Sequence, residues 1–396
     1  MHLLQEKLAH YTAPQEAQAK GIYPYFRKIE SEQDTEVIID GRRVLMFGSN
    51  AYLGLTNHPK LKEAAIAATE KYGTGCAGSR FLNGTLDSHL ELEQRLAQFV
   101  GKDDAIIFST GFQVNLGVVS CLLGREDYII WDELDHASII EGMRLSFAKS
   151  LKFRHNDMAS LERRLAQCAP DKVKLIVVDG VFSMEGDVCN LPEIVKLAER
   201  YNATVMVDEA HGFGVLGQNG RGVCNHYELT DKVDLIMGTF SKSFASLGGF
   251  IAGDKILINY LRHHARSYIF SASCTPASTA AAGAALDIML SEPERLDHLW
   301  ELTKYALDRF RALGFEIGNT STPIIPLFIR NNEATFCITR DVFEEGVFVN
   351  PVVSPAVAPE DTLIRFSLMA THTKEQLDFA IDKLYKVFVK NGVLPH

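Results

Sequence analysis

Lys242 sits in GTFSKSFASLGG (238–249), a long cation between Ser241 and Ser243, followed by small residues and the pair Gly248-Gly249. The apolar run VDLIM (233–237) leads straight into it. Four similar runs also end on groups able to do chemistry. Ser109-Thr110-Gly111-Phe112-Gln113 follows IIF, Asp132-Glu133-Leu134-Asp135-His136 follows IIW, and Asp179-Gly180 with Ser183 shortly after follows IVV. Asp208-Glu209-Ala210-His211 follows VMV. Singly, each has a structural explanation: Lys242 as solvated surface, His136 as a loop histidine, Asp208 as a cap for the segment after it. Ligands of open α/β sheets, however, gather beyond the carboxyl ends of the strands. Five strand ends then bring an amine, carboxylates, two imidazoles and small hydroxyls to one rim.

A pyridine ring carrying an aldehyde, a phenolic oxygen and a phosphate uses such a set. Lys242 would form a Schiff base with the aldehyde, and an aspartate would hold the pyridine nitrogen protonated so that the ring withdraws electrons. The phosphate would rest on the Gly111 and Phe112 amides at a helix N-terminus, with a further hydrogen bond from Thr239. A desolvated lysine beside a positive ring falls to a pKa of about 7–8, suited to proton transfer. Small residues around Lys242 then let a cofactor lie against the loop. Two motif matches fail on context. GFGVLG (212–217) spells G-x-G-x-x-G but does not join a strand directly to a helix. DEAH (208–211) spells a helicase signature, yet the chain has no G-x-x-x-x-G-K-[ST] phosphate loop.

The elements that must position these groups are short β-branched runs alternating with longer helical patterns. DAIIFS (104–109), DYIIWDE (127–133), KLIVVDG (174–180), TVMVDEA (204–210), VDLIMG (233–238) and GGFIAG (248–253) read as strands. Their continuous apolar character suits strands covered on both faces of a mostly parallel sheet. LPEIVKLAERYN (191–202) has the apolar spacing of an amphipathic helix, and TPASTAAAGAALDIML reads as a helix packed closely on its neighbours. The class is α/β with a doubly wound sheet. After about residue 290 the pattern shifts to helices at 295–314 and 374–392 around strands at 324–329 and 362–369, a smaller α+β domain. Expected boundaries are an N-terminal arm over 1–46, a large domain over 47–290 and a small C-terminal domain over 291–396.

Composition narrows the function classes. The 396 residues are 46% hydrophobic and 23% charged with a net charge of −10, which argues against a nucleic-acid binder. Seven scattered cysteines without a C-x-x-C pair read as reduced residues of a cytoplasmic protein. Cys224 and His226 lack the spaced partners of a zinc site, so no metal is expected. No stretch approaches the roughly 20 apolar residues of a membrane span, and the charged start does not read as a signal peptide. The amphipathic segment MHLLQEKLAHY reads as an arm folded onto a dimer, with peripheral contact at the inner membrane as the other use.

Several stretches together resemble one family, the α-oxoamine synthases among the fold-type I pyridoxal-phosphate enzymes. They are GSNAYLGL (48–55), YGTGCAGSRFLNGT (72–85), STGFQVN (109–115), DELDHASI (132–139), DGVFSMEGD (179–187), VDEAHGFG (207–214), GTFSKS (238–243) and RFSLMATHT (365–373). The resemblance implies the family's transferase fold, with a mostly parallel sheet in the large domain and a smaller α+β domain after it. It also implies pyridoxal 5'-phosphate as cofactor and a homodimer whose active site is shared between subunits. By motif, Lys242 resembles the Schiff-base lysine and acid/base, Asp208 the partner of the pyridine nitrogen, and His211 the donor to the phenolic oxygen. His136 resembles the residue stacked on the ring, which also contacts the substrate carboxylate. Gly111, Phe112, Ser183, Thr239 and Ser241 fall among cofactor contacts, and Ser271 matches a phosphate contact made from the other subunit. Asn50, Ser183 and Arg365 fall where the family binds its amino acid. GTFSKSFASLGGF and NPVVSPAVAPEDTLIRFSLMATHT look most like members that condense L-serine with a long-chain acyl-CoA, losing carbon dioxide. Members that use glycine with acetyl-CoA or alanine with pimeloyl-CoA, and a non-catalytic regulatory subunit, are the alternatives.

Overall fold

The computed structural model describes residues 2–354 and 356–395. Met1, Pro355 and His396, which fall in the expected arm, the Asn350–Thr373 stretch and the C-terminal domain, lie outside them.

The chain opens with two short helices, Leu3–Leu8 and Ala13–Ala19, neither of which buries a residue. A hairpin follows, β1 (Glu36–Ile39) and β2 (Arg42–Met46), turned by Asp40 and Gly41 with φ of 51° and 72°. Two consecutive positive φ values suit an Asp-Gly turn between strands with the natural right-handed twist. The central sheet is then laid down as β3 (Asp104–Phe108), β4 (Tyr128–Asp132), β5 (Lys149–Phe153), β6 (Lys174–Asp179), β7 (Thr204–Asp208), β8 (Leu235–Thr239) and β9 (Gly249–Gly253). Their spatial order is β3-β9-β8-β7-β6-β4-β5. Neighbours from β8 through β5 run parallel, and β9 is antiparallel to both β8 and β3. Six of the seven match the apolar runs, and β6, β8 and β9 are buried at every position. β5, KSLKF, was not expected. It is the sheet edge with an exposed, lysine-bearing pattern, so no apolar run marks it.

The remaining strands, β10 (Ile324–Phe328), β11 (Val347–Phe348), β12 (Asn350–Val352) and β13 (Leu363–Ser367), form the C-terminal part with helices Glu294–Ala312, Asn332–Glu344 and Lys374–Lys390. β13 lies between β10 and β12, antiparallel to both, while β11 pairs parallel with β2. The hairpin at 36–46 is thereby stitched to the C-terminal part.

The covering helices follow local rules. Leu191–Tyr201 buries Leu191, Ile194, Val195, Leu197 and Ala198 along one face and ends at Asn202 in the left-handed conformation (φ 50°). The alanine-rich helix Pro276–Ser291 starts at Thr275, whose hydroxyl accepts from the Ser278 amide, and packs on the helix Pro59–Tyr72. No described helix is long and apolar enough to cross a membrane.

Candidate active site

The parallel run of β4, β6, β7 and β8 delivers its carboxyl ends to one rim, where a cavity of about 240 Å³ opens. Gly111, Phe112, His136, Asp208, His211, Thr239, Ser241 and Lys242 all line it. A second cavity of about 520 Å³ shares His136, His211 and Lys242 and adds Asn50, Ser183 and Arg365, with apolar residues from the arm and from 348–352. The catalytic, cofactor and amino-acid groups expected from sequence are therefore adjacent. Ser271 lines neither cavity of the single chain; its hydroxyl accepts from Gln113 Nε2 at 3.0 Å.

Close approach explains the small residues. Gly111 heads the helix Gly111–Cys121, and a Cβ there would lie 2.6 Å from Thr239 Oγ1. A Cβ on Gly249 would lie 2.8 Å from the Gly111 Cα. Only glycine at both places lets the helix N-terminus close on the lysine-bearing loop. Thr110 caps that helix by accepting the Gln113 amide at 3.1 Å. The Gly111 and Phe112 amides, with no intrahelical acceptor, remain available to an anion. Thr239 and Ser241 place their hydroxyls 3.0 Å apart beside it.

The titratable groups are strongly perturbed. Burial draws Lys242 down to about 8 against the pull of Asp208 and Asp179, with Arg365 adding to the fall. His211 is held well below its usual range by burial and then by Lys242 and Arg365. Asp208 is 3% exposed and accepts from the Ala210 amide (2.9 Å) and from Asn115 Nδ2 (2.7 Å). Asp179, raised by burial and by Asp208, accepts the His136 amide at 3.1 Å.

Tyr52 supplies a link that the residue patterns did not assign. Its hydroxyl lies 2.6 Å from His211 Nδ1 and 3.1 Å from an Arg365 Nη2 that can only donate. Tyr52 therefore accepts from Arg365 and donates its hydroxyl hydrogen to Nδ1, much nearer than Asn50 Oδ1 at 3.4 Å, which leaves the His211 proton on Nε2. Arg365 also donates from Nε to the Ser183 carbonyl (2.6 Å) and from Nη1 to Ser367 (2.6 Å). Three of its five N–H groups are thus used by the fold, and two remain for a ligand carboxylate. Tyr52 lies within GSNAYLGL and Asn115 within STGFQVN, so the signal was position inside a chemistry-bearing stretch.

His155, also unassigned, braces the loop that carries Ser183. Its Nδ1 lies 3.0 Å from Asp132 and its Nε2 2.9 Å from Asp187, so two carboxylates demand two donors. Burial opposes the charge, but the hydrogen bonds to Asp132 and Asp187 outweigh it and raise the pKa to about 10. Because the folded pKa lies above the unfolded value of about 6.5, the stabilisation is complete below that pH and drains as pH rises through about 10. Thermal melts should show His155→Gln well below wild type at pH 6–7, with the gap closing by about pH 11. A gap independent of pH would contradict the charged clamp.

The donor set fits pyridoxal 5'-phosphate: an amine for the aldehyde, a carboxylate for a protonated ring nitrogen, an imidazole N–H for the phenolic oxygen, and amides with hydroxyls for the phosphate. The family model described as aminotransferase class I and II matches residues 42–384. A serine palmitoyltransferase of Bacteroides thetaiotaomicron is 66% identical over 388 residues, covering 98% of each chain. An 8-amino-7-oxononanoate synthase of Thermosipho melanesiensis is 45% identical over 379 residues, 96% of this chain and 97% of its own. A solved serine palmitoyltransferase variant from S. paucimobilis, with a bound PLP–myriocin aldimine, matches with a TM-score of 0.96 at 33% identity over 100% of both chains. This chain, matched over most of its length and holding that donor set around Lys242, belongs to the class I and II aminotransferase family.

Proposed function

We propose that the protein is a pyridoxal-phosphate-dependent serine C-palmitoyltransferase, which condenses L-serine with a long-chain acyl-CoA to 3-oxosphinganine, coenzyme A and carbon dioxide, the entry step to sphingolipids. The observation that carries this reading is the Lys242–Asp208–His136–His211 cluster opening onto Arg365, together with 66% identity to a serine palmitoyltransferase. The oxononanoate synthase, at 45%, is the more distant relative.

When bound, the cofactor supplies an electron sink for the charge left at the amino-acid Cα. The chain's own residues do the rest. Gly111 and Phe112 amides with Thr239 and Ser241 would hold the phosphate, and Asp208 would keep a proton on the ring nitrogen. Arg365 grips the substrate carboxylate with its two free N–H groups, helped by His136, while Asn50 and Ser183 border the same space. Lys242, near neutrality through burial, accepts the α-proton and later returns one at the same carbon. The apolar wall of the larger cavity, including Phe348, Val349 and Val352, would exclude water from the amino-acid Cα and admit the acyl group.

Phe112 and Phe270 are exposed at 44% and 72%, beside Gln113 and Ser271, where a second subunit would bury them and lend Ser271 to its partner's phosphate. In this reading the working form is a homodimer, supported by those exposed rings. Leu3, Leu4 and Leu8, exposed on the first helix, suit an arm folded onto the second subunit, with peripheral contact at the inner membrane as the other use.

The test is a visible-absorption titration of the holoenzyme with L-serine, glycine and L-alanine, followed by turnover with palmitoyl-CoA. Response to serine at much the lowest concentration supports the reading; preference for glycine or alanine replaces it with a sister reaction. Arg365→Lys should weaken serine binding by about 10- to 100-fold, since one charge-assisted fork is worth about 1.5–3 kcal/mol. Serine affinity unchanged in that variant would remove Arg365 from the carboxylate.

A further inference from the structure

Asn115 lies on the helix Gly111–Cys121, fully buried behind the cavity wall. Its Nδ2 reaches Asp208 Oδ2 at 2.7 Å and Ser138 Oγ at 2.8 Å. Both amide protons are therefore used, one on each partner. Its Oδ1 has no hydrogen-bond partner among the described residues. Buried acceptors are seldom left unsatisfied, so an amide that forgoes one in order to aim both protons marks a directed arrangement.

Ser138, second residue of the helix Ala137–Leu145, already accepts from Asn115, which frees its own proton. Its Oγ lies 2.7 Å from His136 Nδ1, and its backbone N–H donates to the same nitrogen at 3.2 Å. A nitrogen that accepts two hydrogen bonds carries no proton, so the proton of a neutral ring sits on Nε2. His136 borders both cavities, and the string therefore runs from the acid of one to the donor of the other. Burial keeps the ring neutral by lowering its pKa despite Asp208, and Lys242 pushes the same way.

We propose that Asn115 and Ser138 are positioning residues for this reaction: through one hydrogen-bonded string they keep the His136 proton on Nε2, as donor to the amino-acid carboxylate, while giving Asp208 a fixed second donor. This rests on the functional reading above and extends it to Asn115, which lines neither cavity, and to Ser138, which lines the smaller one and acts here through His136. The string spans three elements, the ends of β7 and two helices, and ties the orientation of His136 to that of Asp208. Without the hydroxyl, the Asn115 amide loses an acceptor and His136 Nδ1 keeps only its longer backbone donor.

The experiment uses the holoenzymes of wild type, Ser138→Ala and Ser138→Thr. Serine is titrated against the visible cofactor band, kcat is measured at saturating serine with palmitoyl-CoA, and thermal melts check folding. Ser138→Ala should raise the serine dissociation constant about tenfold, the worth of one hydrogen bond, with kcat within about threefold of wild type. Ser138→Thr, which keeps the hydroxyl, should restore serine affinity. Asn115→Leu should show the same loss of serine affinity and, in addition, a shifted pH titration of the band, because Asp208 loses a donor. Unchanged serine affinity in both Ser138→Ala and Asn115→Leu, or Ser138→Thr as weak as Ser138→Ala in proteins that melt like wild type, would overturn the inference and leave the functional reading intact. A wild type whose band ignores serine would overturn both.

Discussion

Lys242→Ala should abolish turnover and with it the visible absorption that depends on the lysine amine. The loss is expected to reach on the order of 10³-fold or more, because one side chain both carries the cofactor and moves the α-proton, and proton transfer alone is worth roughly 10²–10⁴. The structural reason is specific. Lys242 follows β8 on a loop held by Ser243, whose hydroxyl donates to the Phe213 carbonyl at 2.6 Å, and its pKa of about 8 makes the free amine accessible near neutrality. In wild type, kcat should accordingly rise with pH toward about 8 as the amine loses its proton. Stopped assays with L-serine and palmitoyl-CoA, read beside absorption spectra, decide it. Full activity in the alanine variant would remove Lys242 from the chemistry, and the assigned site with it.

Asp208→Asn is the second large effect, and the more selective one. Asparagine keeps the shape and can still accept from Asn115 or Ala210, so the fold should stay intact. What disappears is a negative charge in a site from which water is largely excluded, where electrostatic stabilisation typically counts for 10²–10³ in rate. A fall in kcat of about that size, with serine affinity nearly unchanged, is the expected pattern, because Arg365 and His136 still hold the carboxylate. A rate close to wild type would show that the ring nitrogen does not need Asp208.

The strands that carry the site were legible because each is a continuous apolar run ending in polar groups, and six of those runs became six central strands within a residue or two. The helices at 191–201, 294–312 and 374–390 followed from amphipathic spacing. β5 escaped because an edge strand need not be apolar. The hairpin at 36–46 escaped although Asp40-Gly41 is a turn signal, since its partner strand β11 lies about 300 residues away. Lys242, Asp208, His211 and His136 were visible as chemistry-bearing types at strand ends. Tyr52, Asn115, Ser138 and His155 were not, because each depends on a partner distant in sequence, Asn115 in the case of Ser138, that only the fold brings within about 3 Å. Their side chains are ordinary polar residues until tertiary structure gives each donor an acceptor.

The place of β9 between β3 and β8 has a consequence for how the protein is born. β3 leaves the ribosome early, yet among the described residues its one neighbour in the sheet is a strand beginning at Gly249. The cradle made by Gly111, Thr239 and Gly249 therefore has no second wall until well over half of the polypeptide has been synthesised. Pairing of β2 with β11 and of β13 with β10 comes later still, nearly at the last codons. A nascent chain thus carries β3 unpaired for roughly a third of its translation, from Phe108 to Gly249, and long-range pairings of this kind close slowly. Cofactor capture therefore waits for β9, and shortened translation products that stop before Gly249 would leave β3 without its partner and the cradle without its second wall.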